Sequence, residues 1–354
     1  MGFSSGWVSA CPPGDFDPHA ALVLSLTELL SAAPGTVVDL VRALVDRIAV
    51  VAVVQGEDQR RHAIVQLADW GLPVHRVHFL FMPVGTWARD FGPAFVRWSD
   101  GRVVVVDAEY PFTGRRNEDV VPAAMAGLLK LDRRRVPLAL DGGNLLSNGR
   151  GLSLFTTALL DVNRMRGFDY DLPRVRALLS EYYGFSEPVA LRPLLSHRTL
   201  HVDMFATFTG PDDVVIGRCD PRSEPAGAET LDRNAASLAG RPTRHGRLRV
   251  SRVPMPPYNG KFCRTYTNVI YANGRVLVPH YPDVDGGLER EAHGVYRSLL
   301  RGWDVVPIDC GDVIVGGGAL RCLSAHVPWL YGLFPRVTAA DVRRGPLARA
   351  APAS

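Results

Sequence analysis

Residues 94–107 read Ala-Phe-Val-Arg-Trp-Ser-Asp-Gly-Arg-Val-Val-Val-Val-Asp, and this stretch decides the fold. Two runs rich in β-branched and aromatic residues flank the sequence Ser-Asp-Gly, which favours a tight turn. The pattern predicts a β-hairpin, and we expect a helix after it at residues 119–131. The repeating unit defined here is a hairpin, a helix and one further strand, that is, ββαβ.

The same unit returns three more times along the chain. Hairpins are predicted around turns at residues 148–151, 210–212 and 273–274, and helices follow at residues 171–183, 224–238 and 288–300. The turns lie roughly 50 to 60 residues apart, and such a period suggests a radial or stacked repeat. If the N-terminal third supplies one more unit, the units form a closed α/β propeller of five blades. A Rossmann sheet would need single strands between helices and a glycine fingerprint, and neither is in place.

The N-terminal third is less regular. Apolar spacing predicts helices at residues 20–31 and 36–47, and a run rich in valine predicts a buried strand at residues 48–54. A helix at residues 57–70 and a strand at residues 75–82 complete this part. We expect one domain over residues 1–340. Residues 341–354, rich in Arg, Ala and Pro and without periodicity, are predicted to be a flexible tail.

Composition and charge argue against several classes of protein. The 354 residues are 47% apolar and 21% charged, which suits a packed core. The net charge of +4 arises from 40 basic and 36 acidic residues, a balance that argues against nucleic-acid binding. Five scattered cysteines without a C-x-x-C pair argue against a disulfide framework and a zinc knuckle. Neither a signal-peptide pattern nor an apolar run of membrane length is present, so we expect a cytoplasmic protein.

A cysteine follows the most glycine-rich stretch of the chain. Residues 314–324 read Ile-Val-Gly-Gly-Gly-Ala-Leu-Arg-Cys-Leu-Ser, in which a strand-like run at 313–315 precedes three glycines and Cys322. Glycines allow backbone to approach a ligand closely, so the thiol is suited to facing a pocket. The alternative is a buried structural cysteine, which is a common fate of this residue.

An imidazole and a carboxylate stand two residues apart at residues 201–203. If residues 201–208 form a strand, His201 and Asp203 point to the same face, and the opposite face is wholly apolar. Burying both groups without a task is costly, so we expect them to line a polar cavity. A metal site would need further ligands of suitable type, and the neighbouring sequence supplies none.

Three further polar residues lie at turns or strand ends. Asp90 precedes the turn pair Gly-Pro, Asn144 ends the sequence Asp-Gly-Gly-Asn, and Asn268 lies between two tyrosines. Each is compatible with simple turn or strand structure. Together with Cys322 and His201, two carboxylates from different hairpins would suit a planar guanidinium, whose N–H groups form a fork. A cysteine nucleophile could attack its carbon while a histidine moves the proton. The positive charge of the substrate would help to hold Cys322 as thiolate.

Motifs across roughly residues 83–324 resemble the guanidine-modifying, or pentein, superfamily. The similarity is to its branch of bacterial peptidylarginine deiminases and agmatine deiminases. The resemblance implies a five-bladed pseudosymmetric α/β propeller with a central active site, hydrolysis of a guanidinium to a ureido group plus ammonia, and no metal or organic cofactor. The motifs, in chain order, are Trp-Ala-Arg-Asp-Phe-Gly-Pro at 87–93, Gly-Gly-Asn at 142–144, His-Val-Asp-Met-Phe at 201–205, Tyr-Thr-Asn-Val-Ile-Tyr-Ala-Asn-Gly at 266–274 and Gly-Gly-Gly-Ala-Leu-Arg-Cys at 316–322.

The resemblance also implies a role for individual residues. Cys322 matches the nucleophile that forms a covalent thiouronium adduct. His201 matches the acid that protonates the departing ammonia and then the base that activates water. Asp90 and Asp203 match the carboxylates that clamp the guanidinium. Asn268 matches a polar residue of the active site. By the same likeness, Trp87 and Asn144 are expected to contact the substrate.

Two positions depart from the family pattern. Arg321 stands directly before the nucleophile, where relatives usually have His, and Leu200 stands before His201, where a small or polar residue is frequent. If Arg321 faces away from Cys322, the chemistry is preserved. If Arg321 enters the pocket, it could sustain the thiolate yet repel a cationic substrate.

The substrate class depends on residues 107–122. This stretch resembles the peptidylarginine enzymes more than agmatine deiminases, and Arg115 and Arg116 are our candidates for holding a peptide or an α-carboxylate. The alternative for both is a solvated surface arginine. We therefore expect a deiminase that converts arginine in a peptide or protein to citrulline. We expect neither nucleic acid nor a membrane as a partner, and a homodimer is a possible assembly. The alternatives are a deiminase of agmatine or another small guanidine, an amidinotransferase, and a binding module that has kept the fold.

Overall fold

The computed structural model describes residues 11–98, 102–112 and 114–329. The predicted turn at 99–101 and the predicted tail at 341–354 lie outside these residues. The strands, in chain order, are β1 (His19–Ser25), β2 (Ala49–Val54), β3 (Val77–Phe81), β4 (Ala94–Arg97), β5 (Val103–Glu109), β6 (Asp132–Ala139), β7 (Leu146–Ser147), β8 (Leu152–Thr156), β9 (Glu187–Leu191), β10 (Ala206–Gly210), β11 (Asp213–Arg218), β12 (Arg249–Pro254), β13 (Ile270–Tyr271), β14 (Arg275–His280), β15 (Asp304–Asp309) and β16 (Ser324–Pro328).

Helices connect these strands, and two of them begin at a capping aspartate: Asp171 accepts from the backbone N–H of Arg174, and Asp285 accepts from those of Gly287 and Leu288. The α-helices are α1 (Leu29–Ala32), α2 (Pro34–Leu44), α3 (Glu57–Asp69), α4 (Ala88–Phe91), α5 (Arg116–Asp119), α6 (Val121–Leu129), α7 (Ala158–Met165), α8 (Leu172–Tyr183), α9 (Pro225–Leu238) and α10 (Gly286–Leu299). Among the described residues, none of the helices combines the length and apolar character that crossing a membrane requires.

The described strands form five small sheets, which we call blades one to five. Their strand orders are β16-β1-β2-β3, β4-β5-β6, β7-β8-β9, β10-β11-β12 and β13-β14-β15. In every blade the first two strands are antiparallel, and the second strand pairs in parallel with the third. A parallel pair needs a crossover, and helices α2, α6, α8, α9 and α10 lie within these crossovers. The repeated unit confirms the predicted five-bladed α/β propeller.

The ring of blades is closed by strands from the two ends of the described chain. In blade one, β16 pairs with β1 in antiparallel register, with Leu22 opposite His326 and Leu24 opposite Ser324. Both strands are buried along their whole length. Helices add contacts between neighbouring blades, because α2 packs against β15, α8 against β6 and α10 against β12. Each of these helices thus covers the last strand of the preceding blade.

The prediction of a helix at residues 20–31 is wrong. Residues His19–Ser25 form β1, and only Leu29–Ala32 form a short helix. Every residue of β1 is buried, since the strand lies between β16 and β2 inside a covered sheet. A run that is buried on both faces has no polar side to reveal its period, so spacing alone does not separate strand from helix. The remaining N-terminal predictions agree with α2, β2, α3 and β3.

Two predicted strands begin later than the sequence indicates, and the strand-like run at 313–315 does not form a strand. Residues Val202–Met204 form a 3₁₀ turn before β10, residues 266–269 have no regular structure before β13, and Ile314–Gly316 form another 3₁₀ turn. The first two of these segments carry polar residues of the motifs, Asp203 and Asn268. The strand alternation that placed His201 and Asp203 on one face is therefore not the reason for their proximity.

Candidate active site

Each blade contributes residues to one central site from the segment that immediately precedes its first strand. The five segments are Arg321–Leu323 before β16, α4 before β4, Gly142–Asn144 before β7, Val202–Met204 before β10 and residues 266–269 before β13. In all five sheets this first strand is an edge strand. Residues far apart in the chain therefore meet, because equivalent ends of the blades converge.

Cys322 lies in the turn before β16 and is held by Asn268. The backbone N–H of Cys322 donates to Oδ1 of Asn268 at 3.2 Å, and Nδ2 of Asn268 lies 3.4 Å from Sγ. Sγ lies 4.0 Å from Oδ2 of Asp203. The cysteine is only 4% exposed. The thiol thus sits beside an amide and a carboxylate, away from bulk solvent.

His201 lies between two carboxylates. Its Nδ1 is 3.7 Å from Oδ1 of Asp90, and its Nε2 is 3.5 Å from Oδ2 of Asp141. Gly143 lies against the same groups: a Cβ at this position would be 2.5 Å from Nδ1 of His201 and 2.6 Å from Oδ1 of Asp90. Such distances are shorter than any real Cβ contact, so only glycine leaves these side chains in place.

Arg321 enters the polar interior, and its guanidinium is neutralised there. Nη1 donates to Oδ2 of Asp203 at 2.8 Å, Nε donates to Oδ2 of Asp15 at 2.7 Å, and Nη2 donates to the carbonyl of Leu145 at 3.1 Å. Its side chain is 3% exposed. Two carboxylates therefore balance this arginine.

Burial and neighbouring charges shift the protonation of the central groups. Burial, reinforced by Asp203 and Asp90, raises the pKa of Cys322 well above its usual value. Burial disfavours the imidazolium, but Asp90, Asp141 and Asp203 outweigh it and raise the pKa of His201 to about 9. Burial, with the charges of Asp141 and Asp203, also raises the pKa of Asp90 to about 7 against the effect of His201. Near neutral pH the site therefore holds a neutral thiol and a protonated histidine.

Three buried atoms of the site have no hydrogen-bond partner among the described residues. They are Oδ1 of Asp203, Oδ1 of Asp141 and Nδ1 of His201. Buried polar groups are nearly always satisfied, and a buried orphan calls for a ligand or water. Two of the three are carboxylate oxygens, so the arrangement suits a ligand that donates hydrogen bonds and carries positive charge.

Trp87 and Asn144 adjoin the site in different ways. The Trp87 ring packs on the glycine turn: a Cβ on Gly318 would lie 2.7 Å from the ring and 3.1 Å from Sγ of Cys322. Oδ1 of Asn144 accepts from the backbone N–H groups of Thr156 and Val202 at 3.0 and 3.2 Å. Trp87 therefore walls the thiol, whereas Asn144 ties β8 to the segment that carries His201.

Arg115 and Arg116 are not connected to the central groups by any hydrogen bond or ion pair of the described residues. Nη1 of Arg115 lies 3.3 Å from Oε1 of Glu118, which also accepts from the backbone N–H of Gly85. Arg116 is exposed at the first residue of α5. The charge of Arg115 is thus already paired.

Two residues that the sequence analysis did not select contribute to the site. Asp141 contacts His201, and Asp15 anchors Arg321. The signal for Asp141 was its position directly before Gly142 and Gly143 in a quoted motif. No signal was available for Asp15, because it lies 306 residues from its partner in the chain.

Comparisons with known proteins agree with this architecture. The sequence model of the Porphyromonas-type peptidyl-arginine deiminase family matches residues 13–328. The chain is 25% identical to the putative agmatine deiminase of Selenomonas ruminantium over 368 residues, covering 89% of this chain and 95% of that protein. It is 25% identical to the agmatine deiminase of Stutzerimonas stutzeri over 276 residues, covering 68% and 74%.

Solved structures share the fold. The agmatine deiminase of Enterococcus faecalis superposes with a TM-score of 0.78 at 20% identity, covering 90% of this chain and 95% of that one. The putative arginine deiminase of Porphyromonas gingivalis superposes with a TM-score of 0.75 at 24% identity, covering 91% and 98%. Both belong to the pentein fold that the motifs predicted.

The expectation that the substrate is arginine in a peptide or protein is wrong. The sequence relatives are named agmatine deiminases, whose substrate is a small guanidine. The expectation depended on arginines at 115 and 116, and Arg115 is paired with Glu118 through Nη1 at 3.3 Å. The burial of Cys322 also agrees with a small substrate.

Proposed function

Because the chain belongs to the Porphyromonas-type peptidyl-arginine deiminase family of the pentein superfamily, we propose that it is a deiminase of a small guanidino compound, with agmatine as the first candidate. The reaction is hydrolysis of a carbon–nitrogen bond. The guanidinium becomes a ureido group, and one of its nitrogens leaves as ammonia.

The observation that carries this function is the pair of unpartnered carboxylate oxygens beside a thiol. Oδ1 of Asp203 and Oδ1 of Asp141 are buried acceptors, and a guanidinium is a planar donor with several N–H groups. Sγ of Cys322 lies 4.0 Å from the carboxylate of Asp203, so a cation held by that carboxylate would have its carbon near the sulfur. Asp90 would contribute a second clamp once ionised.

Cys322 is the proposed nucleophile. Its thiol is neutral in the free enzyme, and the arriving cation favours the thiolate, so that the thiol proton passes to solvent water as the cation binds. The thiolate forms a bond to the guanidinium carbon, and His201, present as imidazolium, protonates the departing nitrogen. A thiouronium adduct and ammonia result.

His201 also serves the second half of the reaction. Having given up its proton, it accepts one from a water molecule, which attacks the adduct carbon. The carbon–sulfur bond breaks, and the ureido product leaves with Cys322 restored. Asp141, 3.5 Å from Nε2, holds the imidazole in orientation and stabilises its charged form.

Release of ammonia from agmatine tests this function directly. We expect the full-length chain to convert agmatine to ammonia and the ureido product, and the matched Cys322→Ser variant to be inactive. An arginyl peptide and free arginine serve as comparison substrates. Absence of turnover with agmatine and other small guanidines, in protein whose fold is intact, would contradict the proposal.

A further inference from the structure

Every nitrogen of the Arg321 guanidinium donates a hydrogen bond within the protein. Its Nε, Nη1 and Nη2 all donate, to two carboxylates and one backbone carbonyl, at 2.7 to 3.1 Å. It directly precedes Cys322, and the same 3₁₀ turn carries both. Asp203, the carboxylate that Arg321 contacts, is fully buried. Arg321 is therefore linked to Cys322 through a single residue, Asp203.

The two oxygens of Asp203 are not equivalent. Oδ2 accepts from Arg321 and lies 4.0 Å from Sγ of Cys322, whereas Oδ1 has no hydrogen-bond partner among the described residues. A carboxylate with both oxygens open can receive a guanidinium through two parallel hydrogen bonds. With Oδ2 occupied, Asp203 offers a single oxygen to an incoming ligand.

The charges around the site can be counted from these contacts. Asp15, Asp90, Asp141 and Asp203 contribute four negative charges when ionised, and Arg89, His201 and Arg321 contribute three positive ones. The sum of −1 matches a single guanidinium. Without Arg321 the sum would be −2, which would attract the cation more strongly but would oppose a thiolate at Cys322.

We propose that Arg321 is a positioning residue that occupies Oδ2 of Asp203, so that the substrate guanidinium is received by Oδ1 alone and Cys322 becomes anionic beside a fixed positive charge. This inference rests on the proposed function, since it assigns a task within the same site. Asp15 is the outer anchor, because it holds Nε of Arg321 from the side opposite Asp203. Arg321 thereby weakens binding of the substrate cation and increases the reactivity of the Cys322 sulfur.

Opposite effects on binding and turnover test the inference. Agmatine binding is measured by calorimetry in a Cys322→Ser background, and turnover is measured with the cysteine present. In Arg321→Gln we expect agmatine to bind about fivefold more tightly, because Oδ2 of Asp203 becomes available for one more ion-pair contact with the substrate. We expect kcat to fall at least about tenfold, because each unit by which the thiol pKa rises removes tenfold of the thiolate. Arg321→Lys keeps the charge and should recover part of kcat.

Arg275→Gln is the matched control. Arg275 also donates to two carboxylates and a backbone carbonyl, namely Asp46, Asp304 and Ala43, but its side chain is 14% exposed and it lies in β14 away from the central groups. Its replacement should lower thermal stability without separating affinity from kcat. If Arg321→Gln does not fold, the double variant Arg321→Gln/Asp15→Asn also removes the outer carboxylate that Arg321 balances and takes its place in the same measurements.

Distinct outcomes separate this inference from the proposed function. Failure of the Cys322→Ser protein to bind agmatine, together with no turnover by the wild type, would overturn the function itself. Normal turnover by the wild type, with weaker agmatine binding or unchanged kcat in the Arg321 variants, would overturn the positioning task alone. Tighter binding with slower turnover, absent from Arg275→Gln, is the result that supports it.

Discussion

At the scale of single residues, burial and neighbouring charges favour the protonated form of the Cys322 sulfur. Burial and two carboxylates raise the pKa of Cys322, while Asn268 supplies contacts to both its backbone N–H and its sulfur. The same carboxylates that oppose the thiolate are those that would bind a guanidinium. Binding and activation are therefore coupled through charge, and an ordinary neutral electrophile gains nothing from this arrangement.

Alkylation by paired reagents tests this coupling. At pH 7.5, 2-chloroacetamidine, which is cationic, should modify Cys322 at least about tenfold faster than neutral 2-chloroacetamide, after each rate is divided by that with a free thiol. Mass spectrometry locates the modified cysteine, and Cys322→Ser should lack the fast phase. Equal normalised rates for the two reagents would show that the carboxylates do not recruit the cation.

The pH dependence of kcat/KM should be bell-shaped. Asp90 must be ionised to clamp the substrate, and its pKa is raised to about 7, so activity should rise as pH increases through that value. His201 must be protonated to release ammonia, and its pKa is raised to about 9, so activity should fall above that value. Initial rates at low agmatine concentration between pH 5 and 11 measure both limbs, which belong to the interacting groups together.

Asp141→Asn provides the control for the alkaline limb. It removes one of the carboxylates that stabilise the imidazolium, so the descent should move to lower pH by about one unit. The acidic limb should stay in place or move to lower pH, because Asp141 raises the pKa of Asp90 and its charge has been removed. An alkaline limb that stays in place would exclude His201 as the titrating group.

Gly143→Ala should abolish most activity with little loss of folded protein. Its added Cβ would lie 2.5 Å from Nδ1 of His201, and the displacement of both His201 and Asp90 should lower kcat/KM about 100-fold or more. Gly127→Ala is the matched control, because nothing lies within 4 Å of that position in α6, and it should keep full activity. Near-normal kinetics of Gly143→Ala would mean that the geometry around His201 is not required.

At the scale of elements, the turns before the first strands carry the residues of the candidate site, and the backbone directly before one of them is strained. Leu200, directly before His201, has φ of +58°, a left-handed conformation that costs a residue with a Cβ about 1 kcal/mol. Oγ1 of Thr156 donates to its carbonyl at 2.8 Å and holds the backbone there. The departure from the small residue of the family pattern is therefore tolerated through a hydrogen bond from β8.

Paired substitutions at Leu200 test this strain. Leu200→Gly removes the Cβ, and Leu200→Ala keeps it while removing the same packing, so the glycine variant should be more stable by about 1 kcal/mol. Urea unfolding measures the difference in free energy of unfolding. An alanine variant as stable as the glycine variant would show that the left-handed backbone is not maintained in solution.

At the scale of the whole molecule, β16 is the strand that completes the ring, and it begins two residues after Cys322. Ala325 and Val327 are buried, and β16 covers the edge of β1. We propose that residues 1–340 form the folded unit and that residues 341–354 are dispensable. The position of Cys322 then depends on closure of the ring, because the closing strand begins at Ser324.

Truncation tests this dependence. A chain ending at Leu323 loses β16, exposes the edge of β1 and its apolar neighbours, and should aggregate or remain unfolded. A chain ending at Ala340 should keep the thermal unfolding midpoint of the full protein within a few degrees. Circular dichroism and size-exclusion chromatography distinguish the two. A cooperative, monomeric fold in the shorter chain would contradict the role of β16 in closing the ring.

The sequence by itself determined the repeating unit and most of the residues that meet at the centre. Hairpin turns, helical spacing and five short motifs are local patterns, and they identified Cys322, His201, Asp90, Asp203 and Asn268 before any contact was known. The sequence reading was wrong for β1, because a strand buried on both faces shows no alternation. It was also wrong for residues 201–205, where a turn rather than a strand brings His201 and Asp203 together.

Only the tertiary structure decided the pairing of groups that are distant in the chain. Asp141 beside His201, and Asp15 beside Arg321, depend on blades that converge around one centre, and no local pattern records that convergence. The orientation of Arg321 was open from the sequence, since either direction suited the motif, and its contacts with Asp15 and Asp203 resolve it. The physical reason is that periodicity reports which face of an element is buried, whereas the partner on that face depends on how the elements pack.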